Sequence, residues 1–148
     1  METTDAEPCF IDTNILLTAT DRARAAHKQS QDLLRRGLNG ELRLFACGQI
    51  LREYLVVATR PTENNGLGLQ PKKAIENIRS FRRCLRLLDE NNATTQRLEL
   101  LIAEYGLKGK RIHDANIASI MIENGLRQIF TLNPGDFKTF AEMQVNQP

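Results

Sequence analysis

The chain has 148 residues, 41% of them hydrophobic and 26% charged, with 20 basic against 18 acidic side chains and a net charge of +2. That length and composition suit a single globular domain over residues 1–148 and argue against disorder, and no apolar run approaches the ~20 residues a bilayer span needs. The near-neutral charge neither demands nor excludes nucleic acid, because bases can gather on one face while acids gather in a site.

The first eight residues carry Asp5 and Glu7 where a signal peptide would carry bases. Cys9, Cys47 and Cys84 are odd in number and lack CxxC spacing, which suits reduced cysteines in a cytoplasmic protein.

Phe10-Ile11 is a short apolar run that ends abruptly at Asp12. Thr13 and Asn14 suit a helix cap, and Ile15-Leu16-Leu17 resume behind them. The pattern predicts a buried strand that delivers Asp12 to its C-terminal end, where open α/β sheets place their ligands. After polar residues 21–26, a second helix is expected to run to about Leu38. It would bury Ala26, Leu33, Leu34 and Leu38, and Asn39-Gly40 would stop it.

Residues 42–45 alternate as a short strand. Residues 47–59 read as a helix, with Ile50, Tyr54, Val57 and Ala58 at helical spacing and Pro61 closing it. Residues 60–70 hold Pro61, Asn64-Asn65-Gly66 and Gly68 and form the one sizeable loop. No Gly-Lys-Ser/Thr follows, so these glycines are not a phosphate cradle.

Pro71 opens a helix with Ala74, Ile75, Ile78 and Phe81 on one face, and residues 85–88 form the next strand. Asn91 or Asn92 caps a helix whose Leu98, Leu101, Ile102 and Tyr105 share a face, and Gly106 ends it. The basic connector Lys108-Gly109-Lys110-Arg111 leads into a helix over residues 112–124, stopped by Gly125. Residues 128–131 form a strand, Asn133-Pro134-Gly135 a turn, and residues 143–145 a last edge strand. Strands alternating with helices predict an α/β fold with a largely parallel sheet and right-handed crossovers.

Glu53 falls about 60° from Ile50 and 40° from Val57 around its helix, on the border of the apolar stripe. It is either a half-buried acid paired with Arg52, Arg60 or another base, or a functional one. Asp114 projects among Ile117, Ala118 and Met121, while Asn116, Ser119 and Glu123 share the wet face. A carboxylate there must be paired, hydrogen-bonded or metal-bound, since desolvating it alone costs several kcal/mol. Complementing the helix dipole is the competing reading. His113 projects away from Asp114 and reads as structural or substrate-side. Thr131, Asn133 and Asp136 again put polar groups where a strand ends, although turn chemistry alone would supply Asn-Pro-Gly-Asp. Carboxylates converging on one crevice repel one another, and an all-oxygen set selects Mg²⁺ or Mn²⁺ to hold them. Such an ion activates water and neutralises phosphoryl charge, which is phosphodiester hydrolysis in outline.

Four segments stand in order: Phe10-Ile11-Asp12-Thr13-Asn14-Ile15-Leu16; Ile50-Leu51-Arg52-Glu53-Tyr54 followed by Ala58-Thr59-Arg60-Pro61; Ile112-His113-Asp114-Ala115-Asn116-Ile117-Ala118; and Ile129-Phe130-Thr131-Leu132-Asn133-Pro134-Gly135-Asp136-Phe137. Together they resemble the PIN-domain ribonucleases, specifically the VapC-type toxins of bacterial and archaeal toxin–antitoxin pairs. The resemblance implies a three-layer α/β/α domain and a Mg²⁺- or Mn²⁺-dependent endonuclease acting on RNA. It also implies a cognate antitoxin and often a homodimer. Asp12 and Asp114 would be direct metal ligands, with Glu53 near or in the shell. The family's fourth acidic position follows Thr131 by two residues, where this chain has Asn133; Asp136 substitutes for it or only holds the turn.

Lys110 and Arg111, immediately before Asp114, are expected on substrate phosphates, with Thr13, Asn14, Thr131 and Asn133 beside them. Leu67 and Leu69 lack an obvious core role and are expected to border an apolar groove for the antitoxin. Among other classes, aspartate-dependent phosphohydrolases would want an Asp where Asn14 stands, and phosphoacceptor receivers an acidic pair ahead of the first strand's Asp. A non-catalytic RNA-binding or scaffold module is the remaining alternative; the presence of Asp12, Glu53 and Asp114 argues against it.

Overall fold

A computed structural model describes residues 6–148. Among these residues, strands β1 (Pro8–Ile11), β2 (Arg43–Cys47), β3 (Arg86–Leu88), β4 (Gln128–Phe130) and β5 (Gln144–Asn146) form one sheet of order β3-β2-β1-β4-β5. Every pairing in it is parallel. Parallel neighbours need long crossovers, and helices supply most of them: α1 (Thr13–Thr20), α2 (His27–Leu38), α3 (Gly48–Thr59), α4 (Pro71–Cys84), α5 (Asn92–Tyr105) and α6 (Arg111–Glu123).

The crossover rule puts the helices between β1 and β3 on one face and those returning from β3 to β4 on the other. The packing agrees: α1 and α4 each lie against α2 and α3, whereas α5 lies against α6. Chain direction across the sheet therefore reverses between β1 and β4. In such sheets the crevice outside the carboxyl ends of those two strands is the natural ligand site.

The register brings that crevice to particular residues. Phe10 pairs with Ile129 and Ile11 with Phe130, so Asp12 and Thr131 leave the sheet side by side. The Asp12 amide donates to the Phe130 carbonyl at 3.0 Å, and the Thr131 amide donates to the Asn146 carbonyl of β5 at 3.0 Å. Phe10, Ile11, Ile15, Leu16, Ile50 and Ile129 are fully buried beneath them. Tyr54 is equally buried, edge-on to Phe81 at 5.0 Å. Its hydroxyl lies 2.9 Å from both Thr20 and Asn77, so the polar tip is satisfied.

Several local expectations hold. Asn91 caps α5 in a reciprocal box with Thr94, and Gly106 ends that helix at φ 62°. Others are corrected. Strand β2 continues through Cys47, so α3 begins at Gly48. Leu38 is 48% exposed and Ile75 44% exposed, while Ser30, not expected inside, is fully buried on α2. Ser119, expected on the wet face of α6, is fully buried and donates to the Ala115 carbonyl at 2.7 Å. The single-stripe projection fails because α6 buries Ala115 and the whole run from Ile117 to Met121, which wraps the helix circumference.

The loop over residues 60–70 is strapped to α3. Leu67 N donates to the Val57 carbonyl at 3.0 Å and Leu69 N to the Ala58 carbonyl at 2.9 Å. Both leucines pack half-buried against the core, so they have a core role that the sequence pattern does not reveal. Gly66 closes the strap: a Cβ there would lie 2.0 Å from the Arg60 carbonyl oxygen. Gly66→Ala is therefore expected to cost about 1–3 kcal/mol, as overpacking does. A melting temperature equal to wild type would show that the strap yields.

Candidate active site

Asp12 follows β1 as the N-cap of α1, and its Oδ1 accepts from the Thr13 amide at 2.8 Å. Its Oδ2 accepts from the Thr131 hydroxyl at 2.8 Å and from the Asn14 side-chain amide at 3.3 Å. That amide also donates to Thr131 Oγ1 at 3.1 Å, while Asn14 Oδ1 accepts from the Leu132 amide at 3.1 Å. Thr131 Oγ1 further accepts from the Asn133 amide at 3.0 Å. Asn14 and Thr131 thus stitch the end of β1 to the end of β4 around one carboxylate.

Thr13 has a second task. Its hydroxyl donates to Glu53 Oε2 at 2.9 Å, so one residue holds Asp12 through its backbone and Glu53 through its side chain. Glu53 Oε1 accepts from Gln49 Nε2 at 2.9 Å. The partners of Glu53 are thus Thr13 and Gln49, in place of the arginine pairing that its helical position also allowed.

Asp114 enters from the first turn of α6 and is half-buried. Its Oδ2 accepts from Arg111 at 2.9 Å. The same guanidinium donates to the Asp136 carbonyl at 2.6 Å and to Thr139 Oγ1 at 2.9 Å, and it lies 6.0 Å from the Phe140 ring centre. Arg111 therefore braces Asp114 against the segment after β4, while Lys110 is exposed at the α6 N-cap position. The Asn133 and His113 side chains are also exposed.

Burial and neighbouring charge act on both Asp12 and Asp114. Burial, opposed by hydrogen bonds from Thr131 and Thr13, pushes the Asp12 carboxyl up from 3.8 to about 6, with Glu53 and Asp136 adding to the rise. Burial also raises Asp114 to about 6; Asp136, Asp12 and Glu53 add to this, and Arg111 opposes it. Burial is the larger cause at both acids, and neighbouring negative charge adds to it.

Among the described residues, no three His, Cys, Asp or Glu side chains are grouped tightly enough to cage an ion by themselves. A hard divalent ion does not require that. Mg²⁺ commonly takes one or two carboxylates and fills its other positions with water and substrate phosphate oxygens. Asp12 and Asp114, both oxygen donors and both raised chiefly by burial, fit such an ion.

Gln49 is the site residue that the sequence reading missed. It is 4% exposed, and its amide also donates to the His113 carbonyl at 3.3 Å. The available signal was its i,i+4 relation to Glu53 at the start of α3.

Beside the carboxylates lies a cavity of about 720 Å³ whose lining includes Thr13, Glu53, Val56, Val57, Leu98 and Ile112. Val56 is 58% exposed and Ile112 36% exposed. This groove borders α3, α5 and α6, and Arg52, Arg60, Glu90 and His113 line it beside the apolar side chains.

A parallel α/β sheet with acids gathered at its switch point defines a class, and the chain falls in it: residues 9–143 match the PIN domain family, to which this protein belongs. Ribonuclease VapC48 of Mycobacterium tuberculosis is 28% identical over 139 residues, covering 93% of this chain and 94% of that protein. Among solved structures, VapBC2 from Rickettsia felis bound to a DNA fragment from their promoter superposes with a TM-score of 0.67 at 17% identity, over 95% of this chain and 98% of that one. A toxin–antitoxin complex from Klebsiella pneumoniae gives 0.62 at 19% identity, over 95% and 97%. These structural likenesses support the three-layer fold.

Proposed function

We propose that this PIN-domain protein is a metal-dependent endoribonuclease and the toxin component of a toxin–antitoxin pair. The observation that carries the reading is the Thr13 bridge, which ties Asp12 to Glu53 in a crevice where Asp114 responds to both. The ribonuclease relative and the toxin–antitoxin complex of like fold support it. A non-catalytic scaffold would gain nothing from burying Asp12 among other acids, because burial without a cation costs stability.

Asp12 and Asp114 would hold Mg²⁺ or Mn²⁺, which supplies an activated water and neutralises charge developing on the phosphoryl group. Thr131 and Asn14 fix the Asp12 carboxylate, Arg111 fixes Asp114, and Thr13 with Gln49 fixes Glu53 beside them. Pre-set oxygens of this kind bind the ion and orient the attacking water without reorganising during the reaction. Asp136 lends negative charge from the segment after β4. An antitoxin segment presenting apolar side chains fits the groove walled in part by Val56, Val57, Leu98 and Ile112, where Glu53 also lies.

The test is cleavage of RNA by the purified chain. Internal cuts that require Mg²⁺ or Mn²⁺ and stop with chelator are expected; RNA left intact at saturating metal overturns the reading. Substrate phosphates are expected at Lys110. Lys110→Ala should lower the slope of log affinity against log salt by about 0.7, the counterions released per single-strand phosphate contact. An unchanged slope would remove Lys110 from the RNA face.

A further inference from the structure

Helix α4 carries a charge pattern that the acid crevice does not use. It holds Lys72, Lys73, Arg79, Arg82 and Arg83 against the single acid Glu76, a surplus of four positive charges in a chain whose whole surplus is two. All five cations are exposed, and among the described residues none of them makes a hydrogen bond or ion pair. The neighbouring helix α2 mixes its signs instead: Arg35 pairs with Asp32, and Arg36 with Glu41.

Helical phase concentrates the charge. At about 100° per residue, Lys72, Arg79 and Arg83 fall within about 40° of one another. The buried residues of α4, Ala74 and Phe81, lie on the opposite side, so the stripe faces solvent. Arg82 flanks it. At about 1.5 Å per residue, the stripe from Lys72 to Arg83 is about 16 Å long.

The helix itself is not stabilised by most of this placement. Lys72 and Lys73 stand in the first turn, where the helix dipole disfavours cations. Arg79 and Arg83 are a like-charged i,i+4 pair, which destabilises a helix. Only Arg82 and Arg83, in the last turn, sit where the dipole favours them. Solubility does not demand the stripe either, since interspersed signs serve that end. A row of unpaired cations on one helix suits a polyanion whose charges also run in a row, and arginine forks match phosphate oxygens in pairs.

The stripe is fixed relative to the acids. Phe81 packs edge-on against Tyr54, and Asn77 donates to the Tyr54 hydroxyl at 2.9 Å. Tyr54 follows Glu53 on α3, so α3 carries one acid of the crevice and the brace for α4. Among the described residues, none from α4 lines the cavity beside the acids, so the stripe is separate from that groove. We propose that the α4 stripe is a second RNA-binding surface, which takes the phosphate backbone of the substrate away from the cleavage site. The assignment rests on the nuclease reading above and names a determinant of substrate form. An RNA long enough to reach both α4 and the acids is held at two places, a short one at one.

The test compares Lys72→Gln/Arg79→Gln/Arg83→Gln with Arg22→Gln/Lys28→Gln/Arg127→Gln, a set of exposed, unpaired cations elsewhere on the chain. Both triple variants lose the same charge. Binding of an RNA stem-loop is followed by fluorescence anisotropy in chelator, so that nothing is cut, over a range of salt. The α4 variant should lower the slope of log affinity against log salt by about 2 to 3, from three phosphate contacts at about 0.7 to 0.9 each. The control variant should lower it clearly less. At saturating Mn²⁺, the α4 variant should raise KM for the stem-loop while kcat, and cleavage of a tetranucleotide, stay at wild type. Its melting temperature should equal or exceed that of wild type, because like charges are relieved.

A slope or KM unchanged in the α4 variant overturns the proposal, as do equal losses in the two triple variants or a matching loss on the tetranucleotide. Preference of the stripe for duplex DNA, polyglutamate or phosphatidylglycerol vesicles over the stem-loop overturns it too, and assigns α4 to that partner. Wild type that binds the stem-loop through α4 but cuts no RNA at any Mn²⁺ concentration overturns the nuclease reading and leaves α4 an RNA-binding surface.

Discussion

Asp114→Asn is expected to abolish metal-dependent RNA cleavage, and Asp12→Asn to do the same, each by more than about 100-fold, the upper end for groups that only orient a metal's ligands. The reason is charge. An amide keeps the shape of each side chain but offers the ion one neutral oxygen in place of a carboxylate. In Asp12→Asn the remaining oxygen can still accept from the Thr13 amide, so the α1 cap survives. In Asp114→Asn the guanidinium of Arg111 keeps its bonds to the Asp136 carbonyl and Thr139. Both variants should therefore remain folded, which far-ultraviolet circular dichroism would check. Full cleavage by either one would remove that residue from the metal.

The second large effect is on stability without metal. The Asp12 carboxyl rises from an ordinary 3.8 to about 6 through burial, so over that window the folded chain holds a proton that the unfolded chain has released. Stability falls with pH wherever the folded state binds more protons. The contribution is fully present below about pH 4 and is lost as pH passes about 6. At about 1.4 kcal/mol per pH unit, the loss from Asp12 is about 3 kcal/mol. Asp114 acts in the same direction and more weakly, being partly exposed and braced by Arg111.

Denaturant unfolding in chelator at pH 4.5 and pH 7, compared between wild type and Asp12→Asn, isolates the contribution from the other acids. The variant should overtake wild type at pH 7. Saturating Mn²⁺ should reverse the order, because the ion binds the deprotonated site of the folded state. Equal pH dependence in the two proteins would mean that Asp12 is not strained.

The sequence reveals those features whose cause is local. The apolar run Phe10-Ile11 breaking at Asp12 fixes a strand end within three residues, and Asn91 with Gly106 brackets α5 by cap chemistry alone. What escapes is set by partners far along the chain. Asn14 and Thr131 are 117 residues apart, and nothing near Asn14 shows that it will bind a second strand end. Gln49 looks like an ordinary first-turn residue until Asn116 and Glu53 close around it. Arg111 reads as a phosphate contact because it precedes Asp114, yet its guanidinium turns onto the Asp136 carbonyl. Ser119 misleads for another reason: an amphipathic projection presumes one buried face, and α6 has hardly any other kind.

The edge strand reaches the central acid through a single residue, Thr131. Asn146 on β5 accepts the Thr131 amide, and the Thr131 hydroxyl in turn donates to Asp12. Two hydrogen bonds in series thus connect the rim of the sheet to the central acid. Edge strands open locally at a fraction of the free energy of global unfolding. When β5 frays, the Thr131 amide loses its acceptor, while the Thr131 hydroxyl stays tied to Asp12, Asn14 and the Asn133 amide. The network around the central acid is therefore insulated from motion at the rim, because most of its bonds do not pass through β5. Loss of β5 pairing is expected to loosen the sheet edge while Asp12 keeps its Thr13, Asn14 and Thr131 donors.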